Sequence, residues 1–327
     1  MEDPFAAVAG HAAALDVLRH QLETGRLPHA YLFVGEPMLG KTSVARALAR
    51  ALLPEVPLER HPDYWEDDRT EALKIDEIRL LPDRQPDHHQ QSLQAFLSMK
   101  PAVAGYRVAV ITNVGRLPDP VQGILLKTLE EPHPGRVIVL TTPNVSPFVV
   151  LPTVVSRCQR VTFHGVGQPE VAALLTRQDV PSERATLLAE LSRGRPGWAL
   201  RAVADESVVE RHQRWADRLD EVFGAPPDVA LRLAAELDAS VSEWRRAGRA
   251  PQAQERGDER GDDPLGFAIA SWQLHLRRRM VDESRPAAQA RWARLIERSF
   301  DTLGYLEQNV SPRLALECFL LEATRAA

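Results

Sequence analysis

The chain has 327 residues, 40 of them basic and 45 acidic, for a formal net charge of −5. Hydrophobic residues at 44% and charged ones at 26% are ordinary for a globular protein, so wholesale disorder is excluded, and the length predicts two or three domains. Residues 1–163 carry 17 basic and 19 acidic side chains, which excludes a broad basic surface for gripping nucleic acid.

Residues 11–24 have helical apolar spacing at Leu15, Leu18 and Leu22, stopped by Gly25. The run HAYLFVG reads as a strand into Gly35, and a glycine-bracketed turn then enters a helix that ends by Pro54. Residues 54–70 are rich in proline and acid and read as loop. Short helices are predicted near 74–81 and 88–99, and RVAVIT (107–112) is a buried-type strand. VQGILLKTLEE (121–131) is a helix closed by Pro132, RVIVLTT (136–142) a strand, PTVVSR (152–157) a helical turn and RVTF (160–163) a last strand. Strands alternating with helices predict a mainly parallel sheet covered on both faces. Past Phe163 the pattern is helical: short helices over 168–204 broken at Gly194–Gly197, then 205–247 and 264–326. Residues 248–263 hold no large apolar side chain and read as a mobile linker.

Two cysteines, Cys158 and Cys318, are too few for a disulfide framework or a four-cysteine zinc site, and they fit a reducing compartment. The N-terminus lacks the basic start and apolar run of a secretory signal, and the longest uncharged stretch (137–156) contains three prolines. A cytoplasmic protein is expected.

Gly35-Glu36-Pro37-Met38-Leu39-Gly40-Lys41-Thr42 satisfies G-x-x-x-x-G-K-[ST] between a strand and a helix, and Ser43 follows it. The chemistry needs those residues at that spacing. Gly35 and Gly40 let the backbone curl so that N–H groups face phosphate oxygens. Lys41 reaches the β- and γ-phosphates, Thr42 offers a hydroxyl to Mg²⁺, and the helix N-terminus faces the anion. ATP with Mg²⁺ is therefore the expected cofactor, although Pro37, Met38 and Leu39 are bulkier than the small residues usual there. Hydrolysis also needs carboxylates after a neighbouring strand, to hold the metal through water and to polarise the attacking water. The strand at 108–111 runs instead into Thr112-Asn113, with no acid until Asp119. The expectation is nucleotide binding without hydrolysis by this chain alone.

These motifs carry a resemblance. Residues 8–53, with the phosphate loop inside them, resemble the opening of the bacterial clamp-loader ATPases of the AAA+ class. ILLKTLEEP (124–132) resembles that group's distinctive internal motif, and Ser156-Arg157-Cys158 its arginine-finger motif. GRPGWAL (194–200) is similar to the lid motif, and NVSPRLALE (309–317) to the closing collar helix. The resemblance implies an α/β AAA+ P-loop domain over 1–163, a small all-α lid over 164–222 and an all-α collar over 223–327. Within the group, the missing acids, the absence of cysteine between Lys41 and Arg157 and the early end of the chain favour the delta-prime type over the motor type. That type implies a stator-like member of a pentameric ring that loads the sliding clamp on primed DNA. Its partners are motor (gamma/tau) and delta subunits, and Arg157 reaches the ATP of a neighbouring motor subunit. A guanidinium supplied in trans is worth about 10³–10⁵ in rate where it has been characterised. The usual zinc module after the first helix is missing. His61, His88 and His89 read as solvated loop histidines, not substitute ligands. Glu130 and Glu131 sit at a helix C-terminus, where the dipole disfavours them, which points to contact with a neighbour's basic residues. Trp198, Trp244, Trp272 and Trp292 read as core anchors.

Overall fold

A computed structural model describes residues 3–69, 73–79, 86–205, 207–247, 264–307 and 310–326. The chain forms two compact units, Met1–Leu200 and Arg201–Ala327. The domain boundaries expected at 163 and 222 fall inside these units, and the linker expected at 248–263 lies outside the described residues.

The first unit is built on five parallel strands: β1 (Ala30–Val34), β2 (Tyr64–Asp67), β3 (Arg107–Ile111), β4 (Arg136–Thr142) and β5 (Gln159–Thr162). Their spatial order is β2-β3-β4-β1-β5. β3 and β4 are buried at every position, as strands covered on both faces must be. Side chains alternate between two cores. On one face Tyr31, Phe33, Val108, Val110, Val137 and Val139 meet α1 (Ala12–Thr24) and α2 (Lys41–Leu52) through Leu15, Leu18, Val44 and Leu48. On the other, Leu32, Ala109, Ile111, Ile138 and Leu140 meet Leu125 and Leu129 of α5 (Asp119–Glu130). Each fully buried leucine contributes about 1.5–3 kcal/mol relative to exposure. Between β2 and β3 lie α3 (Ile75–Ile78) and α4 (Leu93–Ser98), and α6 (Pro152–Val155) precedes β5. α7 (Gln168–Thr176), α8 (Ser182–Leu191) and α9 (Pro196–Val203) follow.

The loop expected over 54–70 is corrected. It contains a 3₁₀ turn at Leu58–Arg60 and the edge strand β2. Two carboxylates hide that strand in the sequence, but both are paired in the fold. Glu66 accepts from Arg46 at 2.9 Å, and the fully buried Asp67 pairs with Arg116 and Arg69. Asp63, also fully buried, accepts from the amides of Ala102 (2.7 Å), Val103 (2.8 Å) and Ala104 (3.3 Å), with Arg107 Nε at 3.3 Å. A carboxylate therefore pins together the segment in which the usual zinc module is missing.

The second unit comprises α10 (Ser207–Asp220), α11 (Pro227–Ala247), α12 (Pro264–Asp282), α13 (Pro286–Glu307) and α14 (Pro312–Ala323). Its core gathers Leu219, Leu237, Leu276, Leu295, Leu316 and Leu320 around Trp272. That indole is stacked on Phe319 with centroids 5.5 Å apart, and its Nε1 donates to Trp215 O at 2.8 Å. Trp198 and Trp292 are buried as expected, while the Trp244 side chain lies outside what is described. No helix among the described residues is long and apolar enough to cross a membrane.

Candidate nucleotide-binding site

The phosphate loop leaves β1 at Gly35, whose amide donates to Thr142 O of β4 at 3.1 Å. Glycine is required there, because a Cβ would sit 2.5 Å from Phe163 O. Met38 takes a left-handed conformation (φ 64°), and Gly40 (φ 94°) turns the chain into α2. Lys41 is buried and donates from Nζ to Gly35 O and Glu36 O, both at 2.6 Å. Burial pushes its pKa down to about 8, against the opposing charge of Glu36. Two further carbonyls are also taken. Met38 O accepts from the Gly197 amide at 2.9 Å, and Leu39 O accepts from His11 Nε2 at 2.8 Å. The oxygen side of the loop is thus satisfied internally, which leaves its amide side to face an anion.

The donor set fits a nucleotide phosphate. The amides of Lys41, Thr42 and Ser43 head α2 and have no protein acceptor among the described residues. Thr42 is half-buried and Ser43 exposed. The structure brings GRPGWAL onto this loop: a Cβ at Gly197 would lie 2.9 Å from Met38 O, so only glycine allows that approach. Sequence reasoning placed neither Gly197 nor His11 in the site. The signal for Gly197 was a glycine in the first turn of a helix, where its low propensity needs a packing reason.

The acids needed for hydrolysis are not supplied by β3. Thr112 Oγ1 donates to Asp67 O at 3.3 Å, and the Asn113 amide donates to Thr141 Oγ1 at 2.8 Å. Asp67, at the end of β2, is committed to Arg116 and Arg69.

A family model described as DNA polymerase III, delta subunit, matches residues 10–167, just under half of the chain. Over those residues the chain resembles that family. The delta' subunit of DNA polymerase III from Bacillus subtilis is 29% identical over 219 residues, 64% of this chain and 62% of that protein. The tau/gamma subunit of Haemophilus influenzae is 29% identical over 212 residues, covering 58% and 29%. The tau subunit of Escherichia coli is 32% identical over 178 residues, covering 49% and 25%. The chain therefore spans less than two thirds of the length of these relatives. Among solved structures, a DNA polymerase III gamma-subunit-related protein of Thermotoga maritima aligns over 95% of this chain and 99% of that one, at 19% identity and a TM-score of 0.42.

Arg157 follows α6 and turns back on α5. Its Nη2 lies 2.5 Å from Glu130 Oε1, and its Nη1 donates to Thr153 O at 2.9 Å. Its side chain is still about one third exposed, at 34%. The finger-like motif and ILLKTLEE are thus joined within one chain, which the sequence did not reveal. The mismatch between Glu130 and the α5 dipole is answered by the chain's own arginine. None of Arg157's partners belongs to the phosphate loop.

The histidine reading is corrected for two of three. His61 is 4% exposed, and its Nδ1 accepts from the Asp63 amide at 3.0 Å. His89 stacks on Trp65 (centroids 4.3 Å apart) and pairs through Nδ1 with Glu77 at 2.6 Å. Only His88 is exposed. Both inward histidines order the segment around β2. No group of three or more His, Cys, Asp or Glu among the described residues is placed to hold a metal ion.

Proposed function

We propose that this chain is a delta-prime-type, stator-like subunit of a DNA polymerase III clamp loader. It works in the cytoplasm, in a pentameric ring with motor (gamma/tau) subunits and a delta subunit. The ring loads the sliding clamp onto primer–template DNA. One observation supports this role above the others. β3, one strand removed from β1, ends in Thr112-Asn113 without a carboxylate, while Arg157 keeps a guanidinium about one third exposed. A chain with a finger and no acids of its own is suited to completing a neighbour's site.

In that role Arg157 exchanges Glu130 for the γ-phosphate of ATP on the adjacent motor subunit. Its planar fork neutralises the charge that develops on the transferring phosphoryl. In the chain's own site, Lys41, Thr42 and the α2 amides hold ATP with Mg²⁺, and Thr42 supplies the hydroxyl ligand to the metal. Bound nucleotide there is structural, since β3 ends without a carboxylate to polarise an attacking water. A motor subunit is the competing reading, favoured by the tau and gamma relatives, and the missing acids oppose it.

The test is a reconstituted loader carrying Arg157→Ala. The ring should assemble, and turnover at the one site that this finger completes should fall by about 10³-fold. An unchanged DNA-stimulated rate rejects the finger role, and steady ATP turnover by the isolated chain rejects the stator role.

A further inference from the structure

The longest uncharged run of the sequence, residues 137–156, is explained only in part by the buried strand β4, which ends at Thr142. Over residues 143–156 only Val150 and Val154 are buried, and the rest are exposed or half-buried. Those fourteen residues nevertheless hold no charged side chain, in a chain that is 26% charged. Depletion of charge at a surface is the compositional mark of the centre of a protein interface, where aromatic residues and arginine are enriched. At the tip of this run stands Phe148, 99% exposed.

Phe148 is carried by a built turn. Asn144 Oδ1 accepts from the Ser146 amide at 3.0 Å, and Ser146 O accepts from the amides of Val149 (2.8 Å) and Val150 (3.0 Å). Gln122 of α5, buried, then holds the chain just past the ring: its Nε2 donates to Val149 O at 3.1 Å, and its Oε1 accepts from the Leu151 amide at 2.9 Å. Further on, Arg157 is held to the same helix by Glu130. Gln122 and Glu130 are eight residues apart, about 12 Å along α5. α6, between them, also packs on α5. An aromatic ring and a guanidinium thus stand at the two ends of one uncharged segment laid along a single helix.

We propose that Phe148 anchors this chain on the neighbouring ATPase subunit, its ring entering an apolar recess on the face that Arg157 also meets. This anchor takes its partner from the trans role of Arg157 proposed above. The two side chains divide the work. A charge at a partly exposed contact gives orientation and specificity more than affinity. Affinity comes from apolar surface withdrawn from water, and an ordered, fully exposed phenyl is surface of that kind. Single-stranded nucleic acid fits less well. The ring could stack a base, but residues 143–156 offer no cation to follow the phosphates.

The test measures association of the full chain with the purified motor (gamma/tau) subunit by sedimentation velocity, and DNA-stimulated ATP turnover in the reconstituted ring. Phe148→Ser should weaken association at least about tenfold, and Phe148→Leu should keep most of the affinity. The side chain is almost wholly in solvent, so both variants should melt like the parent. When the Phe148→Ser chain is raised to saturation, turnover should return to the wild-type rate. Arg157→Ala should do the reverse, leaving association unchanged and lowering turnover at every concentration. Wild-type affinity in Phe148→Ser overturns the proposal and leaves the finger standing. Weakened association in Phe148→Ser beside an unchanged Arg157→Ala rate keeps the anchor and rejects the finger. Self-association of the isolated chain that is lost in Phe148→Ser, with affinity for the motor subunit intact, gives the ring to a second copy and overturns the proposal. Loss of oligothymidylate binding in that variant, again with the motor affinity intact, gives it to DNA and overturns the proposal too.

Discussion

Asp63→Ala tests what holds the segment around β2. The carboxylate is fully buried and accepts from three consecutive backbone amides, with Arg107 beside it. Removing it strands those amides, and each buried unsatisfied donor costs about 1–3 kcal/mol. Arg107 is less exposed to the loss, because it also donates to Lys100 O and Phe96 O and lies over the Phe96 ring at 4.7 Å. The three amides are neighbours, so their costs do not add in full. A net loss of about 4 kcal/mol follows, in the range for breaking a buried charged pair. In a unit of this size that lowers Tm by roughly 8–16 °C. The assay is thermal and urea unfolding of the full chain, followed by circular dichroism. Asp63→Asn adds a sign to the test. Burial works to raise the carboxyl's pKa, and the amides of Val103, Ala102 and Ala104 with Arg107 outweigh it, so the net shift is downward from 3.8. A carboxyl held low stabilises the fold above its ordinary value, and that contribution disappears as pH falls through the lowered value. The gap between wild type and Asp63→Asn should therefore narrow on acidification from neutral pH. A shift in Tm of under about 2 °C for Asp63→Ala, or a gap independent of pH, refutes the reasoning.

Three further outcomes follow from the site. Glu130→Gln should change stability by less than about 0.5 kcal/mol, since exposed pairs contribute little, and in the reconstituted ring it should raise turnover up to about fivefold by freeing Arg157. A fall to the Arg157→Ala rate would mean instead that Glu130 positions the finger. Nucleotide affinity of the isolated chain, measured by calorimetry, should weaken as pH rises through about 8, where Lys41 loses its charge, and pH-independent affinity would exclude Lys41 from the contact. Cys318 should react with a thiol reagent in the native chain while Cys158 waits for unfolding, because burial pushes the Cys158 thiol up to about 12. Equal rates for the two thiols would contradict that assignment.

Much of the first unit was legible because β1, β3 and β4 are continuous apolar runs between helices of clear period. β2 was not, since half of its four residues are acids whose partners, Arg46, Arg69 and Arg116, come from other segments. The phosphate loop could be read because its chemistry is local in sequence. The contacts that shape it could not: His11 lies 28 residues before Leu39, and Gly197 lies far beyond Met38. The pairing of Arg157 with Glu130 stayed hidden for the same reason, although the unfavourable place of Glu130 on α5 marked it as needing a cation. His61 and His89 were misread because proline and acid around them suggested exposure, whereas the Asp63 amide holds His61, and Glu77 and Trp65 hold His89.

The sheet's two borders have a consequence for association. β2 and β5 are each four residues long, and β2 carries Glu66 and Asp67 while β5 carries Arg160. Short charged margins are poor templates for a further strand. Main-chain ladders with other chains are thereby disfavoured at both ends of the sheet, which favours recognition by side chains on helices and loops. Such contacts re-form with small rotations, whereas a shared ladder would lock the register. A chain edged this way is suited to surfaces that are made and released repeatedly, not to permanent fusion of sheets.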